Sequence, residues 1–153
     1  MRAIGFRAEP SALNWAVVEG PSAPSILIDA DVLKAPETYS EASGLKWFRE
    51  KVYLLIDSYS PGIAAVKSAE TFMPRPPLAT LYQRCRVEGV VIEALNSRGI
   101  EAVIGPFSTV SSGLGTTSAK QYLKRDDMRG LDWRKYKGNR REAILVAVSA
   151  LGH

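Results

Sequence analysis

The sequence predicts one α/β domain, spanning 1–153, in which a mixed sheet of five short strands is covered by helices. Three observations carry that prediction. Apolar residues cluster in three consecutive short stretches, over 2–8, 13–19 and 25–32, with tight turns between them, the pattern of an antiparallel meander. The spacing then lengthens to three and four residues over 40–58 and 78–98, the period of amphipathic helices. Two brief apolar runs follow those helices, at 63–66 and 100–104, and such runs suit buried parallel strands.

Each element has a local reason. Pro10-Ser11 and Gly20-Pro21 break the opening stretches into three strands, because Pro and Gly interrupt both helix and ladder. Leu45, Phe48, Val52 and Leu55 mark the inner face of the first helix. Ser40 or Ser43 caps it, Glu41 suits the positive end of its dipole, and Pro61-Gly62 ends it. Pro74, Pro76 and Pro77 exclude helix from the connection that follows. In the second helix Leu78, Leu81, Cys85, Ile92 and Leu95 form an expected core stripe, with Gly89 allowing close approach and Gly99 as C-cap. Residues 107–118, rich in Ser, Thr and Gly, are expected to form a flexible loop or short interrupted helix. The last helix, over 139–151, is apolar nearly all round and must be buried.

Composition bounds the function. At 153 residues, 46% hydrophobic and 24% charged, the chain is an ordinary globular one. No stretch approaches the roughly 20 apolar residues of a membrane span, and no signal-peptide core opens it, so no membrane partner is expected. A single cysteine, Cys85, excludes an internal disulfide and suits a reducing, cytoplasmic setting. Charge is uneven. Nine basic and three acidic residues lie between Lys120 and Arg141, a net of +6 in a chain whose total is +4. Such asymmetry marks either a phosphate-contacting surface or a solvated loop.

Within that stretch, Trp133 and Tyr136 stand among Arg134, Lys135, Lys137, Arg140 and Arg141. Rings of this kind stack on bases while cations contact phosphates, so these seven are candidate nucleic-acid-binding residues. The competing reading has Leu131 and Trp133 anchoring a surface loop to the core. Gly113 to Ser118 superficially suggests a phosphate loop but lacks the GxxxxGK[ST] spacing.

Three short segments carry a family resemblance: Gly5-Phe6-Arg7, Ala64-Ala65-Val66-Lys67, and Asn139-Arg140-Arg141-Glu142-Ala143-Ile144. With the element order and the glycine-bearing helix around Gly89, they resemble the RuvC-type branch of the RNase H-like superfamily. The resemblance implies an RNase H-like sheet, a three-strand antiparallel meander plus two parallel strands, and a homodimer. In that family acidic residues ending these strands hold two divalent metals, which activate water and neutralise the leaving phosphate. Here Arg7 and Lys67 occupy two of those positions, and Glu142 a third. Neither cation can ligate magnesium, so a degraded active site is expected, with no catalytic residue, no metal and no cofactor.

The altered site leaves three readings. Arg7, Lys67 and Glu142 form a salt-bridge network that plugs the old cavity, or bind phosphate. Alternatively Glu9, Glu70 and Glu142, with Glu19 or Glu101, form a displaced site for Mg or Mn in a divergent nuclease. As a whole the sequence predicts a RuvC-like pseudo-nuclease that binds nucleic acid, with a structural or protein-interaction dimer as the alternative.

Overall fold

The computed structural model describes residues 1–71 and 76–153; Pro74 of the expected stiff connection lies outside them. Strands β1 (Arg2–Ala8), β2 (Ala12–Glu19) and β3 (Ile26–Lys34) form the antiparallel meander. Strands β4 (Ile63–Lys67) and β5 (Ala102–Gly105) run parallel to β1, giving the order β3-β2-β1-β4-β5. The mixed sheet expected from the sequence is therefore present.

The period of two sorts each strand onto two faces. Ile4, Phe6 and Ala8 of β1, with Ala64 and Val66 of β4, pack under α1 (Glu41–Tyr59) and α2 (Leu78–Ser97). Ala3 of β1 and Ala65 of β4 face the other way, toward α3 (Phe107–Gly113) and α4 (Asn139–Ala150). By the same alternation Gly5, Arg7 and Lys67 belong to the α4 side. Among the described residues, no helix is long and apolar enough to cross a membrane.

Local signals account for the helix ends. Ser40 caps α1, its side chain accepting from the Ser43 N–H at 3.1 Å, and Ser60 closes it in the left-handed region. Gly99, also left-handed, follows the end of α2. From Ala143 to Ala150 every residue of α4 is buried, as its uniformly apolar sequence requires.

Three expectations need correction. The core face of α2 is Val87, Val91, Ala94 and Leu95, whereas Leu78 and Cys85 are exposed. Gly89 faces open space, so it permits no close approach to the core. In the first turns of α2 Leu78, Tyr82 and Cys85 are all exposed, so there the helical period does not mark the interior. Strand β5 lies at the sheet edge with Ile104 half exposed, because among the described residues no strand pairs with its outer side. Of the two forms expected for 107–118, the short helix is present, over Phe107–Gly113.

The glycines separate two kinds of site. A Cβ on Gly5 would sit 2.3 Å from the Ala147 nitrogen and 2.4 Å from the Ala143 oxygen, inside the α4 backbone. Gly5→Ala is therefore expected to destabilise the fold by about 3 kcal/mol or more, the upper range for overpacking. Gly89→Ala, in open helix, should instead stabilise by about 0.5–1 kcal/mol. Urea unfolding of both variants checks the contrast.

Candidate functional site

The C-terminal ends of β1 and β4 bring the predicted residues together. Arg7 and Lys67 are register partners across the parallel pair, and both point to the α4 side. Because Gly5 lets α4 approach, Glu142 in the first turn of α4 reaches Arg7. The Arg7 Nε donates to Glu142 Oε2 at 3.0 Å, and its Nη1 donates to the Ala8 carbonyl at 2.8 Å. A carboxylate in a first helical turn is also favoured by the helix dipole.

Lys67 is held differently. Its side chain is only 3% exposed. The ammonium donates to the Glu70 carboxylate and, at 2.8 Å, to the Ser68 carbonyl, and lies 4.5 Å from the centroid of the Phe107 ring. Burial lowers its pKa below the ordinary lysine value, and the hydrogen bond it donates to Glu70 opposes that shift.

Two further members come from α2. Arg84 Nε donates to Glu88 Oε1 at 2.9 Å, and its Nη2 reaches the Lys67 carbonyl at 3.5 Å. Burial lowers the Arg84 pKa, with the Arg7 charge adding to it. Burial also raises the Glu88 pKa, against the pull of Arg84. Sequence reasoning missed this pair. The i,i+4 Arg–Glu spacing was a usable signal, but Glu88 looked like an ordinary surface acid beside Gly89.

The carboxylates are thus each committed: Glu142 to Arg7, Glu70 to Lys67, Glu88 to Arg84. Glu9 accepts from Asn14 Nδ2 at 2.6 Å, and the same amide reaches the Arg7 carbonyl at 3.3 Å. The displaced metal set does not assemble. Glu19 pairs with Arg2 at 3.4 Å, at the far end of β1, and Glu101 precedes β5 at that same far end. Among the described residues, no group of three or more His, Cys, Asp and Glu side chains could hold a metal ion. Hard divalent cations need converging oxygens, whereas here every acid faces a donor. The residues present do not fit a two-metal centre.

The basic stretch splits into inward and outward parts. A 3₁₀ turn (Ala119–Lys124) leads into a two-strand hairpin, β6 (Asp127–Met128) and β7 (Leu131–Asp132). Trp133 is fully buried, and its indole N–H donates to the Arg125 carbonyl at 3.0 Å. Tyr136 is buried as well. Neither ring can stack on a base, which corrects the binding role expected for both and leaves the anchoring role. Arg141 turns inward to the carbonyls of Tyr136, Leu123 and Arg125. Arg134 is exposed but clasps Asp132 at 2.7 Å, holding that carboxyl down at about 2. Lys135 and Lys137 are exposed, and Arg140 is partly so.

The architecture has close counterparts among solved structures. Thermus thermophilus RuvC superposes with a TM-score of 0.77 at 20% identity, covering 97% of this chain and 92% of that one. The fold is RNase H-like, of the RuvC type. The T. thermophilus RuvC structure in complex with a Holliday junction substrate gives the same TM-score and coverage at 17% identity. The yeast mitochondrial Holliday junction resolvase Ydc2 follows at 0.62 and 10% identity, over 98% of this chain and 77% of that one. No protein-family model matches the chain, and the search of curated proteins found no match. On this RuvC-type frame, Arg7, Lys67 and Glu142 lie together at one end of β1, β4 and α4.

The Lys67–Glu70 pair can be tested as a buried ion pair. Glu70→Gln strands a buried ammonium and should cost about 3–5 kcal/mol, while the double variant Lys67→Met, Glu70→Leu should recover most of it. Between the lowered folded pKa of Lys67 and its ordinary 10.5, the unfolded chain binds more protons. Its contribution to stability therefore rises with pH across that window. In Glu70→Gln the window should open at a lower pH. Denaturant midpoints measured over a pH series check both expectations.

Proposed function

We propose that this chain is a RuvC-type domain that binds nucleic acid without the metal-dependent nuclease reaction. One observation carries the reading: Arg7 and Lys67 face each other in register at the strand ends, each neutralised by a carboxylate of the same chain. A metal entering there would meet two cations and no free acid. The site then supplies neither an activated water nor charge neutralisation for a leaving oxygen.

The binding half of the proposal draws on charge. Lys124, Arg125, Lys135 and Lys137 are exposed on the segment that carries +6. Cations of this kind neutralise backbone phosphates and release counterions, so affinity falls as salt rises. That one solved RuvC of this fold holds a Holliday junction substrate agrees with a nucleic-acid ligand. Lys67 is too deeply buried to contribute directly, so reversing its charge would test folding rather than binding.

Binding to duplex, branched and single-stranded DNA, measured over a salt series with and without manganese, tests both halves. Lys135→Glu with Lys137→Glu should lower the log–log salt slope by about two, one per lost phosphate contact. Cleavage in the manganese arm would overturn the loss of nuclease chemistry, and salt-independent or absent binding would overturn the rest.

A second reading, a homodimer, has its own support. Leu78, Tyr82 and Cys85 line an outward stripe on α2 that continues to the open surface at Gly89. An apolar stripe with a glycine suits close packing against a second copy of the helix. Tyr82→Lys should then shift the chain from dimer to monomer in sedimentation. A wild-type chain that sediments as a monomer at all concentrations excludes this reading.

A further inference from the structure

Strand β3 ends the sheet, and among the described residues no strand pairs with its outer side. The register settles which of its backbone groups face outward. The Ala35 N–H donates to the Ser11 carbonyl at 3.2 Å, one step beyond the Ala12–Lys34 pair. In an antiparallel ladder every second residue turns both backbone groups to its partner strand. Leu33, Asp31 and Asp29 therefore face β2, and Lys34, Val32 and Ala30 turn theirs to the edge. The other side of β2 agrees, since the Glu9 N–H donates to the Ala12 carbonyl at 2.8 Å and so turns 12, 14 and 16 toward β1. Two of the outward N–H groups are already taken. Ala30 donates to Asp29 Oδ1 and Val32 to Asp31 Oδ1, each at 2.8 Å. The other Asp29 oxygen accepts from the Tyr59 hydroxyl at 2.5 Å, which fixes that carboxylate from the end of α1. Among the described residues, the Asp31 carboxylate makes no other hydrogen bond or ion pair.

We infer that Asp29 and Asp31 hold this edge closed, by occupying the backbone donors that the β3 strand of a second copy would take. The segment they guard needs guarding. They are the only charged residues from Ile26 to Leu33, and the remaining six are apolar, with no Pro among them. Ile26 is 65% exposed and Ile28 39%. A segment of that composition on an open edge pairs readily with another copy of itself. Short side chains that bond the neighbouring backbone compete directly with such pairing. An incoming strand offers neutral carbonyls, which are weaker acceptors than the carboxylates already in place. Each closing contact runs from one residue to the next, so it forms with the strand itself. The inference is independent of the readings above. Strand β3 lies at the opposite sheet edge from β5 and shares no residue with the α2 stripe or the basic segment.

Sedimentation velocity over a concentration series, with hydrogen exchange at the Ala30 and Val32 amides, tests this on the full chain. Asp29→Asn with Asp31→Asn keeps an acceptor oxygen at both places and should leave the wild-type mass unchanged. Asp29→Thr with Asp31→Thr removes both acceptors and should raise the mass above wild type. In that variant protection of the two amides should grow with concentration. Asp31→Thr alone frees one donor and should associate about tenfold more weakly than the double variant, the scale of one hydrogen bond. Adding Val32→Pro to the double variant should reverse the association, because it removes an outward N–H and no bond to β2. A thermal melt of each variant confirms folding. Should loss of the Tyr59 contact unfold the double variant, Asp31→Thr carries the test, since its carboxylate binds only its own neighbour. A wild-type dimer through α2 leaves the comparison intact, because only mass beyond the wild type is read. Thr variants that keep the wild-type mass overturn the inference. So does association of the Asn pair equal to that of the Thr pair, which assigns the effect to charge. Association that survives Val32→Pro also overturns it, because the contact then lies elsewhere.

Discussion

The approach of α4 to β1 at Gly5 is the constraint on which the rest of this end of the molecule depends. With no side chain at position 5, the backbone at Ala143 and Ala147 comes nearer than any Cβ would permit. Small residues four apart on α4 complete the fit. That contact places Glu142 over Arg7, two residues further along β1. It also fixes Arg141, whose guanidinium points the other way and ties down three carbonyls of the preceding segment. The burial of Trp133 and Tyr136 against the same core follows from this docking. A bulkier residue at position 5 would move the helix, the ion pair and the segment together.

The charges at the strand ends are arranged by desolvation as much as by attraction. Lys67, Arg84 and Glu88 are all shifted by burial toward their neutral forms, so each must be held charged by a neighbour. A buried ion that loses its partner is far costlier than one that never had to be buried. This explains why the acids alternate with bases instead of converging. Converging carboxylates repel unless a metal lies between them, whereas carboxylates facing Arg and Lys need nothing from solution. The same arithmetic makes Lys67 a structural group, held in place by Glu70 and the Ser68 carbonyl.

The sequence was most legible where local chemistry decides. Short apolar stretches between Pro- and Gly-bearing turns marked the five strands, Ser40 marked a cap, and the all-round apolar Asn139–Ala150 marked the buried helix. At the site, Arg7 and Lys67 were legible because each lies near a strand end, where register pairs them, and Glu142 because it opens the helix that Gly5 admits. What failed depended on tertiary position. The stripe of Leu78 and Cys85 has proper helical spacing, yet the buried residues of α2 begin only at Val87. Trp133 sits among cations in sequence, but the chain reverses at Arg129 and Gly130, whose positive φ values allow the tight hairpin that folds the ring inward. Arg84 and Glu88 joined the cluster only because α2 passes close to the end of β4.

Basic residues at two strand ends leave the folding cores almost untouched, and the alternation along each strand explains why. Ile4, Phe6, Ala64 and Val66 fill one core and Ala3 and Ala65 the other, whatever occupies positions 7 and 67. Their effect is electrostatic and local, and it needs only local answers. Lys67 finds its acid three residues away at Glu70, within the chain leaving its own strand. Arg7 finds its acid 135 residues away, on a helix already docked for steric reasons. Neither pair needs a new backbone contact. A fold whose sheet ends carry the charges and whose faces carry the stability can therefore vary the charges at those ends without giving up its shape. Lys135 and Lys137, exposed beyond the buried Trp133, lie outside that balance.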